Sequence, residues 1–127
     1  MNISQFSIHA LDHVQIAMPA GQESVAREFY GGLLGLTEKP VPASVAHLGA
    51  LWFERGSLRV HLGIESDFRP AKKAHPAFLV ERLDRLEEHL QRAGVTIVRA
   101  DPIQGYRRFH ILDPFGNRLE CVEPIPA

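Results

Sequence analysis

The feature that most constrains this chain is an internal repeat. Leu34-Gly35-Leu36-Thr37 and Ala93-Gly94-Val95-Thr96 each follow an amphipathic helical stretch and stand at the same point in a strand, helix, short strand, hairpin order. His13 and His75 fall in the first strand of each half, Gly56 and Gly116 in the hairpin turns, and His61 and Glu120 in the last strands. The members of each pair lie about 60 residues apart, a spacing that marks a repeated supersecondary unit. Two such units, each with one apolar sheet face covered by its own helix, are expected to pack about a pseudo-twofold axis and to bring corresponding positions near that axis together.

Hydrophobic periodicity places the elements. Leu11 to Met18 alternates as a strand, with Val14, Ile16 and Met18 on one face and His13, Gln15 and Ala17 on the other. Val25, Phe29 and Leu33 form a helical stripe within Gln22 to Leu33, which Gly31, Gly32 and Gly35 bring to an end. Leu36 to Lys39 reads as a short strand, and Leu48 to Glu54 with Leu58 to Glu65 as a hairpin. In the second half His75 to Val80 is a strand, Leu83, Leu86, Leu90 and Ala93 mark a helix, and Val95 to Arg99 is a short strand. The final hairpin occupies Gly105 to Glu123. The predicted architecture is α+β: one domain over residues 1–127, made of two βαβββ modules (about 9–65 and 74–124). Together they form a cupped mixed sheet with the helices on its outer face.

The last hairpin sets a register. In Asp113-Pro114-Phe115-Gly116-Asn117, proline presets φ, glycine supplies a left-handed conformation, and Asp and Asn bond the local backbone. Beyond the turn Leu119 and Cys121 share one face, while Arg118, Glu120 and Val122 share the other. A one-residue slip would exchange Glu120 and Cys121 between faces.

The non-helix faces of the four principal strands carry His13, His61, His75 and Glu120. Singly, each is an ordinary strand residue; at repeat-related positions they converge on the axis. Three imidazoles and one carboxylate, without a thiolate, predict a site for Zn, Ni, Co, Mn or Fe. Glu120 is the only carboxylate in the set. Arg59, Tyr106, Arg108 and His110 share the same faces and are candidates to bind substrate; the arginines either pair with a carboxylate or phosphonate or are plain surface residues. His110 reads either as an acid–base residue or donor to a ligand or as a structural residue, and Trp52 either as a wall of the pocket or as a core residue. His9, His47 and His89 are assigned to a tail, a loop and a helix surface.

Composition narrows the classes of function. With 45% hydrophobic and 23% charged residues and a net charge of -1, the chain is an ordinary globular domain without the basic patch of a nucleic-acid binder. A single cysteine excludes an intramolecular disulfide. No apolar run approaches a membrane span, and the N-terminus has neither a basic n-region nor an apolar h-region. The expectation is a cytoplasmic protein. Seven histidines are many for this length and agree with metal or acid–base chemistry.

The segments HVQIAM, FYGGLLGL, VHL at His61, HPAFLV at His75 and DPFGNRLECVE together resemble the vicinal oxygen chelate superfamily of glyoxalases, bleomycin resistance proteins and dioxygenases. The resemblance covers nearly the whole chain and is most specific at the DP-GN turn and its strand glutamate. It implies a paired βαβββ fold whose metal, held from the first and last strands of each module, chelates vicinal oxygens of a small substrate. It also implies a homodimer, often with modules of two chains completing each site. The expected function is that of a divalent-metal-dependent glyoxalase-like enzyme, with lyase, isomerase or thiol-transferase chemistry. In the enzymes the chain resembles a metal-bound glutamate can serve as the base, which implies that catalytic role for Glu120. Glyoxalase I typically uses two carboxylate ligands, and His61 stands where the first would be. The alternatives are a metal-independent ligand-sequestering protein of the bleomycin-resistance type and a small extradiol-type dioxygenase.

Overall fold

The structure, a computed structural model, describes residues 5–126. It contains two four-stranded mixed sheets with the same internal order. In the first, β1 (Val14–Met18) runs parallel to β4 (Leu58–Ile64), which pairs antiparallel with β3 (Ala50–Arg55), and β3 with β2 (Thr37–Lys39). In the second, β5 (Ala77–Leu79), β8 (Arg118–Pro124), β7 (Tyr106–Leu112) and β6 (Ile97–Arg99) repeat that order and those directions. The parallel pair in each sheet requires a crossover, and each crossover carries a helix. The α+β arrangement of two βαβββ units expected from the repeat is the fold.

The first helix differs in kind from the expectation. α1 is α-helical only over Glu23–Ala26 and continues as a π-helix over Arg27–Leu33. The wider turn shows in the bond from Leu34 N–H to the Phe29 carbonyl, five residues back, at 2.9 Å. Phe29 and Tyr30, neighbours in sequence, are both buried as a result. α2 (Leu83–Arg92) is a regular α-helix that starts from Arg82 in a left-handed conformation, φ 59°. Its front is capped across the fold: Arg82 N–H and Leu83 N–H donate to the Glu123 carboxylate at 2.8 and 3.1 Å.

β1 and β5 are shorter than the alternation suggested. They begin at Val14 and Ala77, so His13 and His75 stand just ahead of them. Ile16, Met18, Phe53, Val60 and Leu62 of the first sheet join Phe29, Tyr30 and Leu90 of the helices and Phe109, Ile111, Leu119 and Cys121 of the second sheet in one continuous core. The modules are thus joined on their helix side. Tyr30 on the first helix reaches the second module's hairpin turn, and His89 on α2 lies 2.8 Å from the Leu33 carbonyl. The sheet faces that carry the histidines lie away from this shared core.

Candidate metal centre

The hairpin turn decides which β8 side chains leave the core. Asp113 Oδ1 accepts from the N–H groups of Phe115 and Asn117 at 2.9 and 2.8 Å, and Gly116 N–H donates to the Asp113 carbonyl at 3.0 Å. Gly116 has φ 90°, and a Cβ there would stand 3.3 Å from Pro70, so glycine is needed for both conformation and space. From this turn the antiparallel register follows: Leu112 lies opposite Arg118 and His110 opposite Glu120. The parallel pairing sets Ala77 opposite Glu120, which brings His75, two residues earlier, alongside.

His75 Nε2 lies 3.0 Å and His110 Nε2 3.5 Å from Glu120 Oε1. One donor atom from each of the three residues falls within 4.8 Å of the others, the only such group of three or more among the described residues. His75 Nδ1 faces the Lys73 carbonyl at 2.9 Å, which assigns the ring proton to Nδ1. The Nε2 lone pair then faces a carboxylate oxygen, an arrangement that calls for a cation, either a proton or a metal ion. Arg108 Nη1 lies 3.3 Å from both His110 Nε2 and Glu120 Oε2, so His110 also presents a lone pair at Nε2. Two imidazole nitrogens and a carboxylate, without sulfur, fit a divalent ion of the Zn, Ni, Co, Mn or Fe group.

Burial alone would raise the Glu120 carboxyl, but the His75 hydrogen bond and the Arg108 and His110 charges outweigh it and hold it below the usual range. His110 is lowered, first by burial, with Glu120 opposing and the His75, Arg118 and Arg108 charges adding to the effect. Both shifts favour the forms a metal needs: an ionised carboxylate and a neutral imidazole.

The four expected ligands do not form one cluster within the chain. His75 and Glu120 meet, and His110 joins them. His13 and His61 lie on the first sheet and stack on one another with ring centroids 4.1 Å apart. Trp52 covers the other side of His61 at 4.3 Å and 5° between planes. The stack occupies the positions that correspond by register to His75, Glu120 and His110, since Trp52 lies opposite His61 as His110 lies opposite Glu120. Strand parity says which face a residue takes, but not whether the matching faces of two modules meet; here His13 and His61 stack on the first sheet while His75, His110 and Glu120 gather on the second.

The expected substrate residues divide. Arg59 Nη1 donates to Asp12 Oδ1 at 2.8 Å, and Asp12 Oδ2 lies 3.0 Å from His13 Nδ1. Arg108 is held by Glu120 and by the Asp101 carbonyl, at 2.6 Å from Nη2. Tyr106 is exposed at the far end of the hairpin, opposite Pro124. His110 was legible as a cup residue, and counting outward from the turn to its position opposite Glu120 is the signal that makes it a donor. An open cleft of about 450 Å³ runs between the edge strands of the two sheets and is lined by both His13 and His75. A second, of about 520 Å³, lies over the His61–Trp52 stack.

The paired βαβββ fold defines a class of domains, and the family follows from the sequence. Residues 10–121 match the family model of the Glyoxalase/Bleomycin resistance protein/Dioxygenase superfamily, and the chain belongs to that superfamily. Among solved structures, a protein of Bacillus anthracis ascribed to the glyoxalase family is 40% identical, with 94% of this chain and 98% of that one aligned at a TM-score of 0.90. A glyoxalase family protein from Enterococcus faecalis is 23% identical over 90% of this chain and 97% of its own, TM-score 0.71. The fosfomycin resistance protein FosX from Listeria monocytogenes shares the fold at 15% identity, 94% and 96% coverage and TM-score 0.74. No curated protein matches the sequence. No helix among the described residues is long and apolar enough to cross a membrane.

Proposed function

We propose that the protein is a divalent-metal-dependent, glyoxalase-like enzyme acting on a small oxygenated substrate. The observation that carries this reading is the convergence of His75 Nε2, His110 Nε2 and the Glu120 carboxylate. A divalent ion held there supplies Lewis-acid polarisation of a substrate oxygen. Within the chain, the Lys73 carbonyl fixes the His75 tautomer, and Arg108 orients Glu120 and keeps it ionised. Glu120, one oxygen of which faces His75 and the other Arg108, is the group placed to take a proton from a substrate carbon or water. His13 and His61 enter this reading through a homodimer, the assembly the resemblance implies, in which the first module of one copy faces the second module of another.

Elemental analysis of protein purified without added metal tests the proposal. A bound transition ion that is lost in His75→Ala and Glu120→Ala supports it; a wild type that carries none and takes up none on addition sinks it. The alternative of a small extradiol-type dioxygenase is tested by oxygen uptake with catechols under ferrous iron, since two histidines and one carboxylate also suit that ion.

One observation favours a second reading, a metal-free binding protein. Arg108 already neutralises Glu120 from 3.3 Å, so the carboxylate has a counter-charge without any ion. Ligand-induced melting shifts that persist unchanged after chelator treatment distinguish this reading from the first.

A further inference from the structure

The two modules treat one repeated arginine differently. Arg59 stands two residues before His61 on β4, and Arg118 two residues before Glu120 on β8. Gln15 lies opposite His61 and Ala77 opposite Glu120, so the repeat aligns His13 with His75 and, one residue earlier, Asp12 with Ala74. In the first module Asp12 gives Arg59 its acceptor at 2.8 Å. In the second module the corresponding residue is an alanine and gives none.

Among the described residues Arg118 has no counter-charge within ion-pair distance. The arginine ion pairs among the described residues belong to Arg27, Arg59, Arg99, Arg107 and Arg108. Arg118 is half-buried, and its Nε is closed to solvent with no hydrogen-bond partner. A guanidinium does not deprotonate, so it keeps a full charge and unfilled donors wherever the fold puts it. The fold puts it in the wall of the cleft between the sheets, with Ala74 and His75. Among the described residues the only carboxylate lining that cleft, Asp12, is already engaged by Arg59 and His13.

We propose that Arg118 and the space beside Ala74 form an anion subsite, which takes a carboxylate, phosphate or phosphonate group in the role that Asp12 plays for Arg59. Arg118 projects from the same face of β8 as Glu120, two residues away, so an anion bound there is adjacent to the metal cluster. The substrate is then a small oxygenated acid, with its charged group on Arg118 and its reacting oxygens toward His75, His110 and Glu120. Naming this group part of a substrate rests on the metalloenzyme reading, whereas the anion contact itself needs no metal.

The test uses metal-free protein. Inorganic phosphate and acetate are titrated separately by calorimetry into wild type, Arg118→Gln, Ala74→Asp and Arg85→Gln. Wild type is expected to bind at least one anion saturably, and the stronger of the two reports whether the subsite prefers a tetrahedral or a planar group. Arg118→Gln and Ala74→Asp are each expected to weaken binding about tenfold or more, the size of one charge-assisted contact. Ala74 is exposed, so its substitution leaves the core intact while giving Arg118 an internal carboxylate; if Arg118→Gln does not fold, Ala74→Asp decides alone. Arg85, exposed on α2, is expected to leave binding unchanged when replaced.

The subsite is overturned if wild type binds neither anion, if Ala74→Asp keeps wild-type affinity, or if Arg85→Gln weakens binding as much as Arg118→Gln. It is also overturned if Arg118→Gln dissociates an oligomer with anion affinity unchanged, because the acceptor then lies on a second copy. With metal absent, loss of anion binding speaks against the subsite alone, and failure to take up metal speaks against the enzyme reading alone.

Discussion

Tyr30 Oη donates to Asp113 Oδ2 at 2.7 Å, which ties the first module's helix to the second module's hairpin turn across 83 residues of sequence. Both residues are buried, and Asp113 also holds the turn that directs Glu120 away from the core. The bond couples the relative placement of the modules to the geometry of the candidate site. Tyr30→Phe is expected to lower unfolding free energy by about 1–3 kcal/mol, the cost of withdrawing a donor from a buried acceptor. Urea denaturation measures it, and a loss within error of zero contradicts the coupling.

Asn117 has three side-chain partners: it donates to the Ala17 carbonyl at 2.8 Å and to Asp113 Oδ2 at 2.9 Å, and accepts from Ala71 N–H at 3.0 Å. Asn117→Ala removes all three from a fully buried position and is expected to cost roughly 3 kcal/mol or more. The same denaturation experiment checks it. The loss should exceed that of Tyr30→Phe, because three groups lose a partner instead of one.

Burial lowers the His61 pKa, with the His13 charge adding to the effect. An unfolded histidine titrates near about 6.5. Below that pH the unfolded chain binds more protons than the folded one, so this group's contribution to stability is full above the unfolded value and is lost as pH falls toward the folded value. Metal-free protein is therefore expected to lose stability on acidification from neutral pH, and His61→Phe, which keeps the stack but does not titrate, to flatten that limb. Trp52 is the sole tryptophan and stacks on His61, so its fluorescence against pH reports the folded titration directly. A midpoint above that of free histidine contradicts this account.

Cys121 lies in the shared core, and burial pushes its thiol up to about 12. Native protein is expected to resist thiol reagents at neutral pH and to react only as it unfolds. Stoichiometric labelling of native protein at the rate of a free thiol contradicts the burial.

The sequence made the sheet faces legible because alternation is a local property, and the repeat made the module legible because it recurs. The repeat pointed to His75 and Glu120 and alternation to His110, and the three side chains lie together in the second module. Neither indicates which faces of separate modules meet, and His13 and His61 show the difference: right parity, separate sheet. The π-helical turn at Arg27–Leu33 was hidden because Val25, Phe29 and Leu33 fit an α-helical stripe, while the pair Phe29–Tyr30 is buried through a wider turn. Arg118 was visible as a cup-facing residue, but its lack of a partner emerges only when Ala74 is compared with Asp12 in three dimensions.

The central claim is a metal ion held by His75, His110 and Glu120. Calorimetric titration of Zn²⁺ and Co²⁺ into metal-free wild type and Glu120→Gln tests it most directly. Wild type is expected to take up metal saturably, with affinity weakened about tenfold to a hundredfold in a variant that keeps the shape of the glutamate and loses its charge. No saturable uptake by wild type, or equal affinity in Glu120→Gln, contradicts it.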